Sequence, residues 1–525
     1  MKFQINNTFT DVLPSDPIVE NTRRQVRQAC YSFVEPTKTK APLLLHHSKE
    51  VAELLGISEE ETQSEEFLNI FTGNALIPDS KPYAMCYGGH QFGHWAGQLG
   101  DGRAINLAEV EHKNKRWTLQ LKGAGATPYS RTADGLAVLR SSIREYLCSE
   151  AMFHLGVPTT RALSLALSGD EVMRDMFYNG NAAYEKGAIV CRVAPSFLRF
   201  GSYEIFASRG ETETLKKLVD YTIQEFYPQL TCDKEGYIQL LKEVSAKTLD
   251  MVIHWQRVGF VHGVMNTDNM SILGLTIDYG PYGWLEPFER GWTPNTTDAE
   301  HKRYQFGDQA QITLWNLVKL ANALYPLIED AAPLEEILNA YQEQYFDKYI
   351  EMMNAKLGLE KTLENDFALI QQLENVLELT ETDMTIFFRH LSDISKNKNM
   401  EEDTSGEFLA PFKDAFYKPE ELKGEILTAW KDWFGMYLNR LEKETLTDKE
   451  RKEKMDAVNP KYVLRNYMAQ LAIEAADKGD YSIINELAEL LKKPYDTQKS
   501  AEKWFAKRPE WARVKPGCSM LSCSS

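Results

Sequence analysis

A chain of 525 residues with 43% hydrophobic and 11% aromatic side chains can bury a large core, which excludes an intrinsically disordered protein. The formal net charge of −17 argues against general affinity for nucleic acid or for an anionic membrane surface. The sequence contains no apolar run of membrane-spanning length and no signal-peptide core, so we expect a soluble, cytoplasmic protein.

The seven cysteines are too few and too scattered for a disulfide framework. The last two, Cys518 and Cys523, lie close to the C-terminus, where we expect an exposed thiol that is open to redox chemistry. Ordinary half-buried thiols are expected at the other five positions, which are Cys30, Cys86, Cys148, Cys191 and Cys232.

The first 80 residues predict turns and short helices. Helices are expected over 48–55 and 64–71, because each begins at a serine and is followed by a glycine, Gly56 or Gly73. We find no catalytic motif in this N-terminal extension.

A glycine-dense segment at 87–103 precedes a predicted β-hairpin with strands at 104–110 and 117–122. A lone Gly-x-Gly turn is a weak signal, because many tight turns use glycine. Here, however, the second strand ends on Lys122, which is the arrangement of a kinase glycine-rich loop and its strand lysine.

Two histidines of this segment, His90 and His94, have the i, i+4 spacing of a zinc pair. The glycines around them oppose a helix, and no third ligand is evident in the sequence. We therefore favour structural or substrate-side histidines over a metal site.

An amphipathic helix is predicted over 139–155, with Glu145 in its middle. In kinases, a helix glutamate pairs with the strand lysine, and Glu145 follows Lys122 in the same order along the chain. Two further strands are predicted at 161–167 and 188–193.

Two arginines, Arg192 and Arg199, lie in or just after the second of these apolar strands. A buried arginine is unfavourable unless it is paired with an anion. The guanidinium fork matches phosphate oxygens, so a phosphate clamp is one interpretation. An ion pair with Glu204 or another carboxylate is the alternative, and spacing alone leaves the two equal.

The central motif runs from 262 to 280, after a helix predicted over 241–258. His262 and Asn269 have the interval of the kinase motif H-R-D-x-x-x-x-N, and Asp278 lies in an Ile-Asp-Tyr-Gly turn of the D-F-G type. Asn269 and Asp278 supply oxygen ligands suited to Mg²⁺.

The position of the kinase base is occupied by Val264, which cannot accept a proton. Asp268 is the one carboxylate within this loop that could replace the base. The motif therefore indicates either an inactive kinase or a different reaction at the same metal site.

Beyond residue 311 the chain is predicted to be mainly helical, with a charged loop at 396–405. The expected helices span 311–328, 334–357, 363–377, 383–394, 419–446 and 460–491.

Taken together, the motifs resemble the selenoprotein O family of kinase-like proteins over nearly the whole chain. The matching blocks are Gly-His-Gln-Phe-Gly (89–93), Gln-Leu-Gly-Asp-Gly-Arg (98–103), Gln-Leu-Lys-Gly-Ala-Gly (120–125), Val-Leu-Arg-Ser-Ser-Ile-Arg-Glu (138–145), the stretch 262–280, Val-Asn-Pro-Lys-Tyr-Val-Leu-Arg-Asn-Tyr (458–467) and Cys-Ser-Ser (523–525).

The order of elements and this resemblance predict an α+β, protein-kinase-like two-lobed fold. The expected parts are an N-terminal extension (1–80), an N-lobe (81–200), a C-lobe with the catalytic loop (201–330), and a helical C-terminal region with a cysteine tail (331–525).

The resemblance implies Mg²⁺-dependent transfer of AMP from ATP to Ser, Thr or Tyr hydroxyls of proteins, with the nucleotide reversed relative to a kinase. Mn²⁺ is the second candidate metal. The resemblance also implies a base role for Asp268 and metal ligation by Asn269 and Asp278. The implied ATP contacts are Gly100, Gly102, Arg103, Lys122, Asp134, Gly135, Arg192, Arg199 and Asp278.

Three alternatives remain open at this point: a UTP-dependent protein uridylyltransferase, a small-molecule kinase, and a catalytically silent nucleotide-binding pseudokinase. Val264 counts against the kinase, because aminoglycoside-type kinases resemble this motif but keep an aspartate at that position. The intact Lys122, Asn269 and Asp278 count against the silent form.

The sequence departs from the family pattern at two places. Leu136 stands where an arginine is expected, and Cys523 takes the position of a selenocysteine in animal members. Some bacterial members resemble enzymes that lock this tail to a cysteine near the activation segment. No cysteine lies between Cys232 and Cys518 here, so a Cys518–Cys523 bridge or a mixed disulfide is the alternative.

Overall fold

The structure is a computed structural model that describes residues 1–176, 179–397, 406–518 and 520–522. Its strands are β1 (Gln4–Ile5), β2 (Tyr31–Phe33), β3 (Leu43–His47), β4 (Tyr83–Met85), β5 (Gly88–Gln91), β6 (His94–Gln98), β7 (Ala104–His112), β8 (Lys115–Lys122), β9 (Ala137–Val138), β10 (Arg161–Arg174), β11 (Ala183–Ala194), β12 (Phe260–Val261) and β13 (Gly283–Trp284).

Helices occupy most of the chain after residue 200. They are α1 (Thr8–Val12), α2 (Lys49–Leu54), α3 (Glu59–Thr62), α4 (Glu65–Phe71), α5 (Leu139–His154), α6 (Phe200–Ser208), α7 (Thr212–Phe226), α8 (Lys234–Val258), α9 (Gln309–Ile328), α10 (Ala332–Leu357), α11 (Asp366–Leu379), α12 (Met384–Leu391), α13 (Gly424–Leu441), α14 (Asp448–Val458), α15 (Asn466–Asp477) and α16 (Ser482–Leu490).

Within the described residues, nine strands form one large antiparallel sheet. The order is β2–β4–β7–β8–β11–β10–β3, with β1 paired to β7 and β9 paired to β11. Strands β7 and β8 are longer than predicted, because the turn between them is formed by only Lys113 and Asn114. Both residues have positive φ, at 50° and 58°, as a tight two-residue hairpin requires.

The two faces of this sheet pack against different helices. On β11, Ile189, Cys191 and Val193 belong to a core with residues of α2 and α4. The intervening Val190 lies in a second core with Ile143 of α5. Because strand side chains alternate between faces, Arg192 must lie on the α5 side.

The N-terminal 80 residues take part in the sheet rather than forming an appendage. They supply β1, β2 and β3 and the helices α2 to α4. The two helices predicted here are confirmed as α2 and α4, each capped by the expected serine. The predicted boundaries at residues 80, 200 and 330 remain predictions.

The helical predictions for the C-terminal region are confirmed in outline and wrong in three details. The span 419–446 contains a helix only over Gly424–Leu441, and the span 460–491 contains two helices, α15 and α16. Gly479, with φ of 85°, lies between these two helices. Helix α14 was not predicted. Most of the predicted loop at 396–405 lies outside the described residues.

The C-terminal region is anchored to the segment that follows the catalytic loop. The Asn466 side chain accepts from Trp284 N and donates to Trp284 O, both at 3.0 Å. Arg465 forms a buried bidentate ion pair with Asp383, at 2.6 and 2.9 Å. None of the described helices has both the length and the apolar character for crossing a membrane.

The cysteines are more buried than predicted. Cys30, Cys86, Cys148 and Cys191 are fully buried, which corrects the expectation of half-buried thiols, and Cys232 is half-buried as expected. Cys518 is also buried, at 1% exposure, and burial raises the pKa of its thiol to about 12. The expected exposed tail thiol is therefore wrong for Cys518, while Cys523 lies outside the described residues.

Candidate active site

The predicted catalytic loop, residues 262–280, follows α8, which ends at Gly259 in the left-handed conformation (φ 75°). Behind the loop, α9 holds the backbone through buried amides. Gln309 accepts from His262 N at 3.1 Å and donates to Phe260 O at 3.0 Å. Asn316 donates to Met265 O at 2.9 Å. These side chains satisfy backbone groups that would otherwise be buried without partners.

His262 has a structural role in this loop. Its Nε2 lies 2.9 Å from Ile277 O, which ties the loop to the strand-like segment before Asp278. Burial lowers the pKa of His262, so the ring is neutral and Nε2 carries the donated hydrogen.

Asp268 lies in a 3-10 turn over Thr267–Asn269 and is 7% exposed. Gln91 of β5 donates to its Oδ2 at 3.2 Å, and Oδ1 has no hydrogen-bond partner among the described residues. Burial raises the pKa of Asp268 to about 7, although the nearby Arg199 opposes the shift. A carboxylate that is buried and incompletely hydrogen-bonded can accept a proton from an incoming hydroxyl.

The hairpin β5–β6 lies directly on Asp268. A Cβ at Gly89 would lie 2.7 Å from Asp268 Oδ1, so only glycine fits there without displacing the carboxylate. The main chain of His90 also donates to Thr267 at 2.7 Å. Sequence reasoning missed this contact, and the Gly-Gly pair before His90 was its only visible signal.

Asp278 is held between two arginines. Its Oδ1 lies 2.5 Å from Arg192 and its Oδ2 lies 2.5 Å from Arg199. Burial would raise the pKa of Asp278, but the positive charges of Arg199 and Arg192 hold it well below its usual range. The backbone at Asp278 is left-handed, with φ of 55°, which is uncommon for a residue other than glycine.

The sequence left two interpretations of Arg192 and Arg199, a phosphate clamp or an ion pair with Glu204 or another carboxylate. Both pair with a carboxylate, and it is Asp278 rather than Glu204. Glu204 instead binds His90, with Oε2 to Nδ1 at 2.5 Å. His90 and His94 lie on opposite strands of the β5–β6 hairpin, which agrees with the expectation that no helix is present.

The predicted pair of Lys122 and Glu145 is confirmed, with 2.6 Å between Nζ and Oε2. Arg192 also contacts Glu145, at 3.1 Å, because β11 runs beside β8 and shares its face towards α5. Burial lowers the pKa of Lys122, and the charge of Glu145 acts against this shift. Ion pairs of alternating charge therefore connect Lys122, through Glu145 and Arg192, to Asp278.

The glycine-rich turn is close to these charges. Gly100 has φ of 81°, and a Cβ there would overlap the ring of Tyr129. At Gly102, a Cβ would lie 3.1 Å from Tyr129 O, so a side chain at either position would crowd the neighbouring loop. Arg103 directly precedes β7, whose first residue, Ala104, is opposite Lys122.

The Asp134–Gly135 turn contains a partner that sequence reasoning missed. Arg174 of β10 forms a bidentate ion pair with Asp134, at 2.7 and 2.8 Å, and donates to Leu136 O at 2.9 Å. A guanidinium group therefore lies beside Leu136, where the family pattern led us to expect an arginine. Gly135 is left-handed (φ 77°) and packs against Gly125, leaving no room for a Cβ.

The side chains of Asn269 and Asp278 carry oxygen atoms of the kind that a hard divalent cation binds, and both Asp278 oxygens contact arginines in this structure. The Asn269 side chain donates its amide hydrogen to Val264 O at 2.9 Å, so its carbonyl oxygen is free to act as a ligand. In the described part of the chain, no group of three or more His, Cys, Asp or Glu side chains could hold a metal alone.

The chain matches known proteins along nearly its whole length. Residues 18–492 match the family model described as "Protein adenylyltransferase SelO". The chain is 62% identical over 523 residues to the "Protein nucleotidyltransferase YdiU" of Flavobacterium johnsoniae, covering 99% of both chains. It is 56% identical over 534 residues to the protein of the same name from Rhodopirellula baltica, again covering 99% of both. The chain therefore belongs to the SelO family and is a protein nucleotidyltransferase.

Proposed function

We propose that this nucleotidyltransferase transfers AMP from ATP to Ser, Thr or Tyr hydroxyls of proteins. The reaction takes place on a protein-kinase-like two-lobed scaffold in which the nucleotide lies reversed, with its α-phosphorus towards Asp268. The observation that carries this proposal is the Asp268 carboxylate, which is buried beside Asn269 and has one oxygen without a hydrogen-bond partner among the described residues. A kinase transfers the γ-phosphoryl group with the help of an aspartate base. Val264 occupies the position of that base here, which favours attack at a phosphorus other than the γ-phosphorus.

In the proposed reaction, Asp268 accepts the proton of the acceptor hydroxyl. The acceptor oxygen then forms a bond to the α-phosphorus, while the bond between that phosphorus and the α,β-bridging oxygen breaks. The products are AMP esterified to the protein and pyrophosphate. General-base help of this kind contributes roughly 10²- to 10⁴-fold to a rate.

Positive side chains stabilise the triphosphate in this proposal. Lys122, Arg103, Arg192 and Arg199 supply the charge, and Gly100, Gly102 and the Asp134–Gly135 turn allow the backbone to approach the nucleotide. Arg192 and Arg199 now contact Asp278, and we infer that they exchange this contact for phosphate oxygens. Guanidinium groups suit both partners, because their donors match either oxyanion.

Asn269 and Asp278 would hold the metal, with Mg²⁺ as the first candidate and Mn²⁺ as the second. When bound, the metal offsets negative charge on the phosphates. A low pKa at Asp278 keeps this ligand ionised at all physiological pH values.

ATP is preferred over UTP in this proposal, because the matched family model is described as an adenylyltransferase. Membership of this family also counts against the small-molecule kinase and the silent pseudokinase. Acceptor proteins are the expected partners.

The metal and nucleotide assignments are tested by measuring label transfer to protein from α-labelled ATP and UTP, with Mg²⁺ or Mn²⁺. We expect transfer from ATP that requires a divalent cation and falls to background in Asp278→Asn. Asp414→Asn, which changes an exposed carboxylate, is the matched control and should retain full activity. Full activity in Asp278→Asn would refute the metal site, and faster transfer from UTP would make the enzyme a uridylyltransferase.

A further inference from the structure

Three side chains beside the catalytic loop form a cluster of two cations on one indole ring. The Arg303 Cζ lies 4.6 Å from the centroid of Trp315, and the Lys319 Nζ lies 4.5 Å from the same centroid. Trp315 and Lys319 are four residues apart on α9 and so share one face of that helix. We call Arg303, Trp315 and Lys319 the basic cluster.

Neither cation of the basic cluster forms an ion pair with a described residue. Among the residues that the structure describes, neither has a carboxylate within ion-pairing distance, and Arg303 Nε is buried without a hydrogen-bond partner. The nearby Asp298 accepts from the main-chain N–H groups of Arg303 and Tyr304, at 3.0 and 2.7 Å, rather than from the guanidinium. Burial raises the pKa of Asp298, and the charge of Arg303 opposes this shift.

One hairpin turn separates the basic cluster from Asp268. Phe92 N donates to the Tyr304 hydroxyl at 3.0 Å, and Tyr304 follows Arg303 directly. On the other side of the turn, Gln91 donates to Asp268. The backbone of Gly93 faces the guanidinium of Arg303, with 3.6 Å from an ideal Cβ to Cζ.

Aromatic rings extend this surface along the same hairpin. The His90 ring lies 5.5 Å from the Trp315 ring and 5.1 Å from the Trp95 ring. Trp95 is 39% exposed, although it is large and apolar. Tryptophan and arginine are enriched on surfaces that bind other proteins.

We propose that the basic cluster, together with Trp95, docks the acceptor protein by binding an acidic residue close to the hydroxyl that receives AMP. The inference rests on the proposed function and adds the substrate class to it. Two cations that form no ion pair with a described residue attract a carboxylate, and Trp95 offers apolar contact to the neighbouring side chains of an extended segment. Because the basic cluster lies one hairpin turn away from Asp268, a segment whose acidic side chain binds the cluster would bring its hydroxyl to Asp268.

The test uses pairs of short synthetic peptides with the same Ser, Thr or Tyr acceptor, flanked by glutamate in one and by lysine in the other. Two quantities are measured with the full-length protein: transfer of AMP from α-labelled ATP, and peptide binding by tryptophan fluorescence. We expect the KM of the glutamate peptide to be about five- to tenfold lower, with a similar kcat. The binding constants should differ in the same direction.

Variants that reverse the charge of Arg303 or Lys319 test whether the basic cluster causes the preference for the glutamate peptide. Arg303→Glu and Lys319→Glu should weaken or reverse it, Arg303→Lys should retain it, and KM for ATP should stay unchanged in all three. Lys449→Glu on α14, at a lysine side chain 86% exposed, makes the same change in net charge and should leave the preference intact. Unaltered melting temperatures show that the variants fold.

The outcomes separate the two proposals. Equal KM and equal binding of both peptides by the wild-type protein would overturn the docking inference, as would a preference that survives both charge reversals. Absence of transfer to any peptide or protein would refute the proposed function, while the binding preference would still decide whether the cluster selects acidic segments.

Discussion

At the scale of single residues, Asp268 and Asp278 lie in one loop and have opposite electrostatic surroundings. Burial raises the pKa of Asp268 to about 7, whereas two arginines keep the pKa of Asp278 well below its usual range. Pairs of carboxylates whose pKa values are pushed apart in this way often divide the roles of base and charged ligand. The contrast supports a base at Asp268 and a permanent anion at Asp278.

Replacing Asp268, the proposed base, should lower the rate of transfer without weakening nucleotide binding. In Asp268→Asn we expect kcat to fall by about 10²- to 10⁴-fold, because the amide cannot accept the hydroxyl proton. The affinity for ATP, measured by calorimetry, should change little, because the positive side chains remain. Asp414→Asn serves as the matched substitution at an exposed site, and unimpaired turnover in Asp268→Asn would place the base elsewhere.

Some residue contacts could be predicted from the sequence and others could not. The order of Lys122 and Glu145 along the chain predicted their ion pair. The catalytic role inferred from the interval between His262 and Asn269 remains a prediction. The binding of Arg192 and Arg199 to Asp278 depends on the strand face, and the backbone at Asp278 is left-handed; neither follows from spacing. Arg174 was missed because it lies 40 positions from Asp134 in the chain.

At the scale of elements, the hairpin β5–β6 and the helix α9 enclose the catalytic loop from two sides. Helix α9 fixes the loop backbone through Gln309 and Asn316, and the hairpin covers Asp268. Sequence reasoning found α9 by its apolar period but read the glycine-dense segment only as a turn before the next strands. Short strands with several glycines carry little period-two signal.

A methyl group in the hairpin should disturb the base without unfolding the protein. In Gly89→Ala the new Cβ would lie 2.7 Å from Asp268 Oδ1, so the carboxylate must move. We expect kcat to fall at least about tenfold, since displacements near 1 Å at a reacting group have effects of this order. Gly435→Ala in α13, where nothing lies within 4 Å of the new methyl, is the control. A Gly89→Ala enzyme with wild-type kcat would contradict the contact.

The polar helix α14 could not be predicted from hydrophobic periodicity. Its sequence, Asp-Lys-Glu-Arg-Lys-Glu-Lys-Met-Asp-Ala-Val, has almost no apolar stripe, so periodicity gave no prediction. A capping box between Thr447 and Glu450 was the available signal. The helix is held instead by single buried side chains, Arg451 and Met455.

At the scale of the whole molecule, Arg257 of α8 ties distant parts of the chain together. Its guanidinium donates to Leu155 O after α5, and to Val458 O and the Tyr495 hydroxyl in the C-terminal region, at 2.5, 3.1 and 2.6 Å. It also donates to His254 Nδ1 at 3.1 Å, which requires a neutral imidazole. Protonation of His254 would break this bond and place a second positive charge beside Arg257.

Acid should therefore weaken the fold partly through His254. Burial, reinforced by Arg257, lowers the pKa of His254 to about 4, below its value near 6.5 in the unfolded chain. The unfolded state then binds more protons, so stability is fully present above about pH 6.5 and is lost as the pH falls towards 4.

In His254→Gln, which keeps an acceptor for Arg257, we expect a smaller acid loss. The difference from wild type should be about 1–2 kcal/mol in the free energy of unfolding, after allowance for partial solvent screening. Urea denaturation at pH 7 and pH 4.5 measures it, with His301→Gln at an exposed position as the control. If wild type and His254→Gln lose the same free energy of unfolding between pH 7 and pH 4.5, His254 does not contribute to the acid sensitivity.

We propose above that the α-phosphorus of ATP, and not the γ-phosphorus, is transferred to protein hydroxyls. The most direct measurement incubates the protein and an acceptor with ATP labelled separately at the two phosphates, and then counts the label retained on protein. Transfer of the α-label alone, with release of pyrophosphate and loss of both in Asp268→Asn, is the predicted result. Retention of the γ-label would make the protein a kinase, and nucleotide binding without transfer of either label would make it a silent scaffold.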